Sequence, residues 1–362
     1  MKLTRRDVSA ALAALALPAP YAAATGSREK APAADKIASP LVFYGAHMAV
    51  ERAPVHMAMR NLYGDDAIIL KGSSMDLIDP ELRADLVGKL EGQFNLERGR
   101  VRADVVSNGE TQMLRASAVD PSIRAIMTVA EGHYPIVARR SAGIASLADL
   151  KGKRILNFTR PATTSGFFLH KMLASVGLTE ADVEIVHVSL GNIGQAVTSG
   201  AVDAIAIWEP DSEQAISALR AKGEDVVIFN GQGIFHERYN LATTTAALAD
   251  PDKRRQIVAL MREIIRVTQA INTDPDVRAE AQALVARSGG LYSVEEVIRG
   301  WPNVRFVANW DDGLLDLFVE EDAWLAPKEG RRLRSRNELA RLIDRSLYEE
   351  ATGRIAIGRD DG

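Results

Sequence analysis

Three hydroxyl side chains stand together at Thr163, Thr164 and Ser165, and Gly166 follows them. They lie between an apolar run ending at Phe158 and a segment with helical spacing. The first amide groups of a helix lack intrahelical acceptors and carry a partial positive charge, so this position favours an anion. The alternative is that Thr163 or Thr164 is a plain helix N-cap. We favour anion binding, because three hydroxyl groups and a glycine exceed what capping needs.

Two further polar segments follow predicted strands. Glu110 and Thr111 begin a helix after one strand, where ligand contact and simple helix initiation are equally favoured. Trp208 follows another strand and could wall a pocket, while Glu209 or Asp211 could pair with a ligand ammonium. The alternatives are a solvated loop charge for Glu209 and an N-cap for Asp211, and the cap is favoured.

The histidines do not indicate a metal centre. His47, His133 and His236 stand at predicted loop or strand ends without metal-ligand spacing, and the chain has no cysteine. His133 and Tyr134 lie where we expect the chain to pass between two lobes, so one of them could contact a ligand. No nucleophile-elbow, zinc-protease, P-loop or dinucleotide-binding motif occurs. We predict a binding protein with no cofactor. The enzymatic alternative would use His133 or His236 as acid/base with Glu110 or Glu209 as partner.

Composition narrows the class of protein. The chain has 362 residues, of which 47% are hydrophobic and 25% charged, values typical of a globular protein. Its length favours two lobes over one or three. The net charge is −4 with no basic stripe, which argues against a nucleic-acid binder. The absence of cysteine excludes disulfides, thiolate zinc sites, cysteine nucleophiles and a lipid on an N-terminal cysteine.

The N-terminus is predicted to be an export signal. Arg5 and Arg6 precede the short apolar run Val8–Leu17, and small residues follow at 22–24. This order of basic, apolar and small residues is typical of a signal peptide, and the run is too short to span a bilayer. We predict a twin-arginine signal over residues 1–24 and a linker over 25–37. The mature protein is then periplasmic and soluble, without a lipid anchor.

The remaining pattern predicts an α/β protein. Predicted strands and helices alternate between residues 135 and 229, which favours parallel strands covered by helices. Helices dominate after residue 250, and the longest is 255–271, with inward-facing Ile257, Leu260, Met261, Ile264, Ile265 and Thr268. Residues 331–350 read as one basic amphipathic helix. It could dock on a partner or an acidic membrane, but packing of Leu339, Leu342, Ile343 and Leu347 on the body is favoured.

Residues 144–218 carry a family resemblance. They contain DLKGK before a strand, the Thr/Ser-rich turn opening a helix, GLTEADVEIV, and SGAVDA before a strand that closes on WEP. In this order and spacing the segment resembles the NMT1/THI5-like substrate-binding proteins of ABC importers for sulfonates, taurine, nitrate and thiamine-pyrimidine precursors. Looser similarity extends over residues 123–275.

The resemblance implies a two-lobed, type II periplasmic-binding-protein fold, each lobe a mostly parallel sheet flanked by helices, with two hinge crossings. Lobe one would comprise residues 38–130 and 231–330, lobe two residues 131–230, and 331–362 the C-terminal helix and tail. The first lobe departs from the family pattern: 71–100 looks like an added helical stretch, and a Gly-Leu-x-Val strand is missing.

The resemblance also implies a function. A small anionic or zwitterionic organic ligand would bind between the lobes of a monomer and pass to an inner-membrane ABC permease. Thr164 and Ser165 match the family's anion-binding hydroxyl pair, and Trp208 matches its tryptophan, whereas Gly166 replaces a larger residue found in taurine-type members. The alternatives are an exported enzyme, a sensor receptor, or a binder of a thiamine-pyrimidine-like heterocycle.

Overall fold

The computed structural model describes residues 40–45, 49–87, 101–158, 162–188, 192–231, 233–289 and 292–353. The predicted signal peptide and linker, His47 and residues 354–362 lie outside these ranges. Within them, no helix is both long and apolar enough to cross a membrane.

Two β-sheets and their flanking helices make up the described chain. The strands are β1 (Val42–Gly45), β2 (Ile68–Lys71), β3 (Val105–Gly109), β4 (Ile123–Gly132), β5 (Pro135–Arg139), β6 (Arg154–Phe158), β7 (Glu184–Val188), β8 (Ala204–Ala206), β9 (Val226–Asn230), β10 (Glu237–Thr244) and β11 (Val304–Asn309). The helices are α1 (Ala53–Tyr63), α2 (Pro80–Val87), α3 (Glu110–Val119), α4 (Thr164–Ala174), α5 (Ile193–Thr198), α6 (Asp211–Ala221), α7 (Thr245–Ala249), α8 (Pro251–Thr273), α9 (Pro275–Gly289), α10 (Val294–Gly300), α11 (Leu314–Lys328), α12 (Arg336–Ala340) and α13 (Ser346–Thr352).

Sheet A has the strand order β11-β4-β10-β3-β1-β2, and sheet B has the order β7-β6-β8-β5-β9. The predicted α/β fold class is confirmed, but the sheets are mixed rather than mostly parallel. β1 pairs in parallel with β2 and β3, and β6 with β7 and β8, whereas the pairs made by β4, β5 and β10 are antiparallel. The reason is topological. The chain leaves sheet A at the end of β4 and returns to it at the start of β10, so β4 and β10 run in opposite directions. In the same way it enters sheet B on β5 and leaves it on β9, so these two strands are also antiparallel.

Both faces of sheet A are covered by apolar side chains. One face packs against α1, α8, α9 and α13. The other face packs against α3, α11 and α12, and this second core continues to α4 beside sheet B. The inward face predicted for α8 is confirmed, since Ile257, Leu260, Met261, Ile264 and Thr268 are buried and Ile265 is partly buried. The packing on both faces holds the strands of sheet A in place and thereby positions the residues at their ends.

The C-terminal segment differs from its prediction. Residues 331–350 are not one helix, because α12 and α13 are separated by a short extended stretch. In that stretch the Leu342 carbonyl accepts from the Ala125 amide at 2.7 Å, and the Asp344 amide donates to the Ala125 carbonyl at 2.9 Å. Pairing with β4 therefore replaces the helical hydrogen bonds. Packing on the body is confirmed: Leu339, Leu342 and Ile343 pack in the core that contains α3 and α11, and Leu347 is buried in the core on the other face of sheet A.

Candidate functional site

Two helix starts meet between the sheets. α3 begins at Glu110, directly after β3, and α4 begins at Thr164, shortly after β6. The contact point is Gly109, where a Cβ atom would overlap Glu237 Oε1 and would lie 2.8 Å from Thr164 Oγ1. A glycine is required here because any side chain would collide with groups from both sheets. The structure thus brings together Glu110, Thr111 and Thr164, which the sequence singled out separately.

The three hydroxyl groups at the start of α4 have different roles. Thr163 is the N-cap, its Oγ1 accepting from the Gly166 amide at 3.2 Å, so capping is confirmed for this residue. Ser165 Oγ donates to Asn157 Oδ1 at 3.1 Å and lies 3.0 Å from Thr163 Oγ1. Two of the three hydroxyls therefore hold the loop itself, and Thr164 is the one that faces sheet A.

Four buried glutamates surround this contact point. Glu51 lies in the 3₁₀ turn that precedes α1, Glu110 starts α3, Glu237 starts β10 and Glu321 lies in α11. None is more than 4% exposed. A Cβ atom at Gly132 would lie 2.7 Å from Glu51 Oε1 and 3.1 Å from Glu237 Oε2. We call these four residues the carboxylate cluster.

The hydrogen bonds of the carboxylate cluster are incomplete. Glu110 Oε2 accepts from the Arg238 amide at 2.8 Å, Thr111 donates its hydroxyl to Glu321, and the Tyr134 hydroxyl is hydrogen bonded to Glu237. Both oxygens of Glu51, together with Glu110 Oε1 and Glu321 Oε2, have no well-formed hydrogen bond in the described part of the chain, and the backbone amides of Glu51 and Glu110 act only on their own carboxyl groups. Over the same residues, no Lys, Arg or His side chain forms an ion pair with any of the four.

Burial and mutual repulsion act in the same direction on these groups. Burial first, and neighbouring carboxylates second, raise the pKa of Glu51, Glu110 and Glu237 well above its usual range. Burial also raises the pKa of Glu321 to about 8, against the hydrogen bond from Thr111. The cluster therefore holds protons at neutral pH, because four buried charges without a cation would be unfavourable.

A second group of candidate residues, Trp208 and Glu209, follows the end of β8. The Trp208 ring lies with its centroid 6.3 Å from that of Tyr134, which places it beside the cluster. Glu209 is 1% exposed, with Oε1 accepting from Asn303 Nδ2 at 2.7 Å, and burial raises its pKa to about 7. The interpretation of Glu209 as a solvated loop charge is therefore wrong. α10 and the residues after it cover the side chain.

Asp211 is also not the N-cap that we favoured. It is the first residue of α6 and makes no capping hydrogen bond, since Pro210 occupies the cap position. Its Oδ1 instead accepts from the Tyr292 hydroxyl at 2.9 Å, and burial raises its pKa to about 8. Its contact with Tyr292 ties α6, which flanks sheet B, to the segment before α10.

His133 does not face the carboxylate cluster, although its neighbour Tyr134 does. The His133 ring is 5.4 Å from that of His236, and Glu131 and Arg305 are adjacent. A pocket of about 460 Å³ opens beside His133 and is lined by Trp301 and Arg305 among others. Burial lowers the pKa of both histidines and so favours their neutral form. Among the residues whose positions are described, no group of three or more His, Asp or Glu side chains is arranged to hold a metal ion.

Sequence reasoning missed three of the four cluster members. Glu110 was singled out, whereas Glu51, Glu237 and Glu321 were not. They lie in segments far apart in the chain, and none belongs to a recognisable motif. The available signal was weak: each stands at or near the start of an element or on the inward face of a helix.

Comparison with known proteins fits this architecture. The model of the family described as NMT1/THI5 like matches residues 99–277, which therefore form an NMT1/THI5-like domain, as the sequence resemblance predicted. Among solved structures, the chain is similar to the alkanesulfonate-binding protein SsuA of Xanthomonas axonopodis pv. citri bound to MOPS, with 20% identity, a TM-score of 0.58, and coverage of 85% of this chain and 99% of that one.

The periplasmic nitrate-binding protein NrtA of Synechocystis PCC 6803 is similar at 14% identity, with a TM-score of 0.60 and coverage of 89% and 91%. The desulfurization enzyme DszB is similar at 14% identity, with a TM-score of 0.54 and coverage of 86% and 99%. These similarities show that the chain has the two-lobed fold of periplasmic binding proteins, and that an enzyme has a related fold.

Proposed function

We propose that this protein is the solute-binding component of an ABC import system. The observation that carries the proposal is the meeting of two helix starts, α3 beside sheet A and α4 beside sheet B, at one buried polar site. A ligand held there would contact both sheets, as the capture of a small solute between lobes requires. The similarity to sulfonate- and nitrate-binding proteins supports the same role.

The division of labour follows the family resemblance. The predicted lobes, 38–130 with 231–330 and 131–230, are proposed with one adjustment: β4 stays in sheet A up to Gly132, so lobe two begins at residue 133. The twin-arginine signal over residues 1–24 directs the chain to the periplasm, where the monomer passes its ligand to an inner-membrane permease.

The proposed ligand contacts come from both lobes. Glu110 and Thr111 line the site from lobe one, and Thr164, Tyr134, Trp208 and Glu209 from lobe two. Thr163, Ser165 and Gly166 shape the loop that presents Thr164. His47 and His133 remain predicted contacts, and His133 faces the separate group around Glu131.

A screen of the exported, mature protein tests this function. Thermal shift followed by calorimetry is run over sulfonates, sulfate esters, nitrate, carboxylates, zwitterionic amino compounds and pyrimidine derivatives. At 100 times its Kd a ligand adds about 2.7 kcal/mol of stability, which raises the Tm measurably. We expect one class to bind with 1:1 stoichiometry and to be recovered unchanged by mass spectrometry.

Two outcomes would contradict the proposal. Consumption of the ligand would indicate an exported enzyme, an alternative that the similarity to the enzyme DszB supports. The absence of binding by every class would exclude a receptor for these solutes.

A further inference from the structure

We infer that the carboxylate cluster receives a positively charged nitrogen group of the ligand, such as an ammonium or an amidinium. This inference rests on the proposed function and specifies its ligand: a zwitterion or an organic cation, rather than a plain anion such as nitrate or an alkanesulfonate.

The cluster lies where a ligand between the sheets would be held. Glu51, Glu110 and Glu237 extend from elements around sheet A. They meet Tyr134, which immediately precedes β5, and Thr164, which starts α4 beside sheet B. The four carboxylates are therefore not an internal feature of one sheet's core. A group placed against them would contact both sheets at once.

Within the described residues no basic side chain forms an ion pair with the cluster, and the charge of Arg238 is the smallest of the influences on the pKa of Glu110. Arg238, the nearest arginine in sequence to Glu237, directs its guanidinium to Asp311 and to the His236 carbonyl. The Arg52 guanidinium lies 3.4–3.5 Å from the His56 ring nitrogens, and its Nε and Nη2 have no partner within the described residues. Buried carboxyl groups without a basic partner hold protons, so a cationic group that enters the cluster would displace protons and pair with the carboxylates that form.

Other acidic side chains of this protein are paired with arginines. Asp322 is fully buried next to Glu321 in α11, and it accepts hydrogen bonds from the guanidinium groups of Arg331 and Arg334 and from the Arg334 amide. Asp203 is likewise paired with Arg139 and Arg154. Arginine partners thus neutralise these two acids. Glu321 and the other cluster members lack them.

The unused acceptors define the chemistry of the ligand group. Glu51 presents two oxygens, and Glu110 and Glu321 one each, without a hydrogen-bond donor in the described chain. An ammonium carries three N–H donors and an amidinium four, so either could satisfy several of these acceptors and supply the missing charge. Metal-ligand geometry is absent from the described acidic and histidine side chains, which favours an organic nitrogen over a metal ion.

The test uses matched probes and calorimetry on the mature protein. Each cationic compound is paired with a counterpart that lacks the charge: β-alanine with propionate, benzamidine with benzamide, and 1,4-diaminobutane with 1,4-butanediol. We expect binding of at least one cationic member, with its counterpart at least tenfold weaker. Glu51→Gln and Glu237→Gln should each weaken that binding at least tenfold. Both keep the side-chain shape and replace a buried carboxyl group that forms no ion pair in the described chain, so the Tm should not fall.

Glu320→Gln is the matched control, because Glu320 neighbours Glu321 on α11 but is half exposed and paired with Lys171. It should leave the affinity unchanged. Stoichiometric binding of an anion without a nitrogen cation, unaffected by Glu51→Gln, would overturn the inference while leaving the proposed function intact. Binding of Ca²⁺ or Zn²⁺ alone, lost in Glu51→Gln, would also overturn it. Failure of every probe and every solute in the wider screen would reject the proposed function itself, and the inference with it.

Discussion

At the scale of single residues, the sequence identified positions better than roles. Glu209 and Asp211 were recognised as site candidates because they follow a strand. The alternative roles considered for them, a solvent-exposed charge for Glu209 and a helix N-cap for Asp211, are both wrong. Both side chains are buried because α10 and the residues beside it, which are remote in sequence, cover them. The local residue pattern indicates where a strand ends. It carries no information about the distant segment that covers the side chain at that position.

Neighbouring threonines at the start of α4 should separate stability from binding. Thr163→Ala removes the N-cap, so we expect a loss of about 1 kcal/mol in unfolding free energy and little change in affinity. Thr164→Val keeps the shape but removes the hydroxyl that faces Gly109, and we expect affinity to fall about tenfold with a smaller stability loss. Urea unfolding and calorimetry measure the two effects. Equal affinity losses in both variants would mean that the loop acts as one unit.

Buried acids should make the protein less stable as the pH rises. Glu209 has a pKa of about 7, and Asp211 and Glu321 have values of about 8. Because these folded-state values exceed the unfolded ones, the folded state holds extra protons between about pH 4 and pH 8, so stability falls over that range and levels off above it. The pKa of His133 and His236 is lowered by burial, so their contribution to stability increases with pH and does not add to the loss caused by the acids.

Urea midpoints of the ligand-free protein between pH 6.5 and 9 test this expectation. The midpoint should fall across the range. Glu209→Gln should flatten the decline by roughly 1 kcal/mol, because most of the roughly 3 kcal/mol that corresponds to a shift from 4.5 to about 7 is already lost below pH 6.5. Glu213→Gln, one turn along α6, serves as the control, since Glu213 pairs with Arg299 near the surface. A midpoint that stays constant or rises would show that these acids are ionised in the folded protein.

At the scale of elements, the alternation of strands and helices was read correctly where it was regular. Pro135–Arg139 forms the strand that the sequence predicted, and α8 buries its predicted face. The C-terminal segment was misread because its amphipathic period continues through residues 341–345, whereas the backbone there pairs with β4. Helical periodicity reports which side chains are buried. It does not exclude a strand-like contact that buries the same side chains.

Arg334 should be the main anchor of that segment. It donates to Asp322, to Ser117 Oγ at 2.9 Å and to the Leu114 carbonyl at 3.1 Å, and so ties the start of α12 to α3 and α11. Although burial acts to raise it, hydrogen bonds from Arg331 and Arg334 hold the pKa of Asp322 below its usual value. Arg334→Ala leaves this buried carboxylate half paired, and we expect a loss of about 3 kcal/mol at neutral pH.

Arg336→Ala is the matched control for Arg334, because its partner Asp316 is 72% exposed and the pair is on the surface. It should change stability by less than about 1 kcal/mol. Thermal unfolding of the two variants at the same pH gives the comparison. Similar small losses in both would assign the anchoring of the segment to its leucines instead.

At the scale of the whole molecule, two short passages connect the sheets, 133–134 between β4 and β5 and 231–236 between β9 and β10. Contacts also join the flanks: Arg299 of α10 pairs with Glu213 of α6, and Lys328 of α11 with Glu180. These pairs are partly exposed, and such pairs contribute about 0–1 kcal/mol each. These ion pairs therefore contribute little to the balance between open and closed arrangements, whereas a ligand bound to both sheets would favour the closed one.

Small-angle scattering should detect this closure. We expect the radius of gyration of the mature protein to decrease when a saturating ligand is added, because bending at the two passages brings the sheets together. The double variant Arg299→Glu and Lys328→Glu repels across both flanks, so its ligand-free radius should equal or exceed that of the parent protein. Its affinity should be lower, since more of the binding free energy then goes into closure. An identical radius with and without ligand, in parent and variant alike, would mean that the sheets form one rigid body and that the ligand enters without any opening of the lobes.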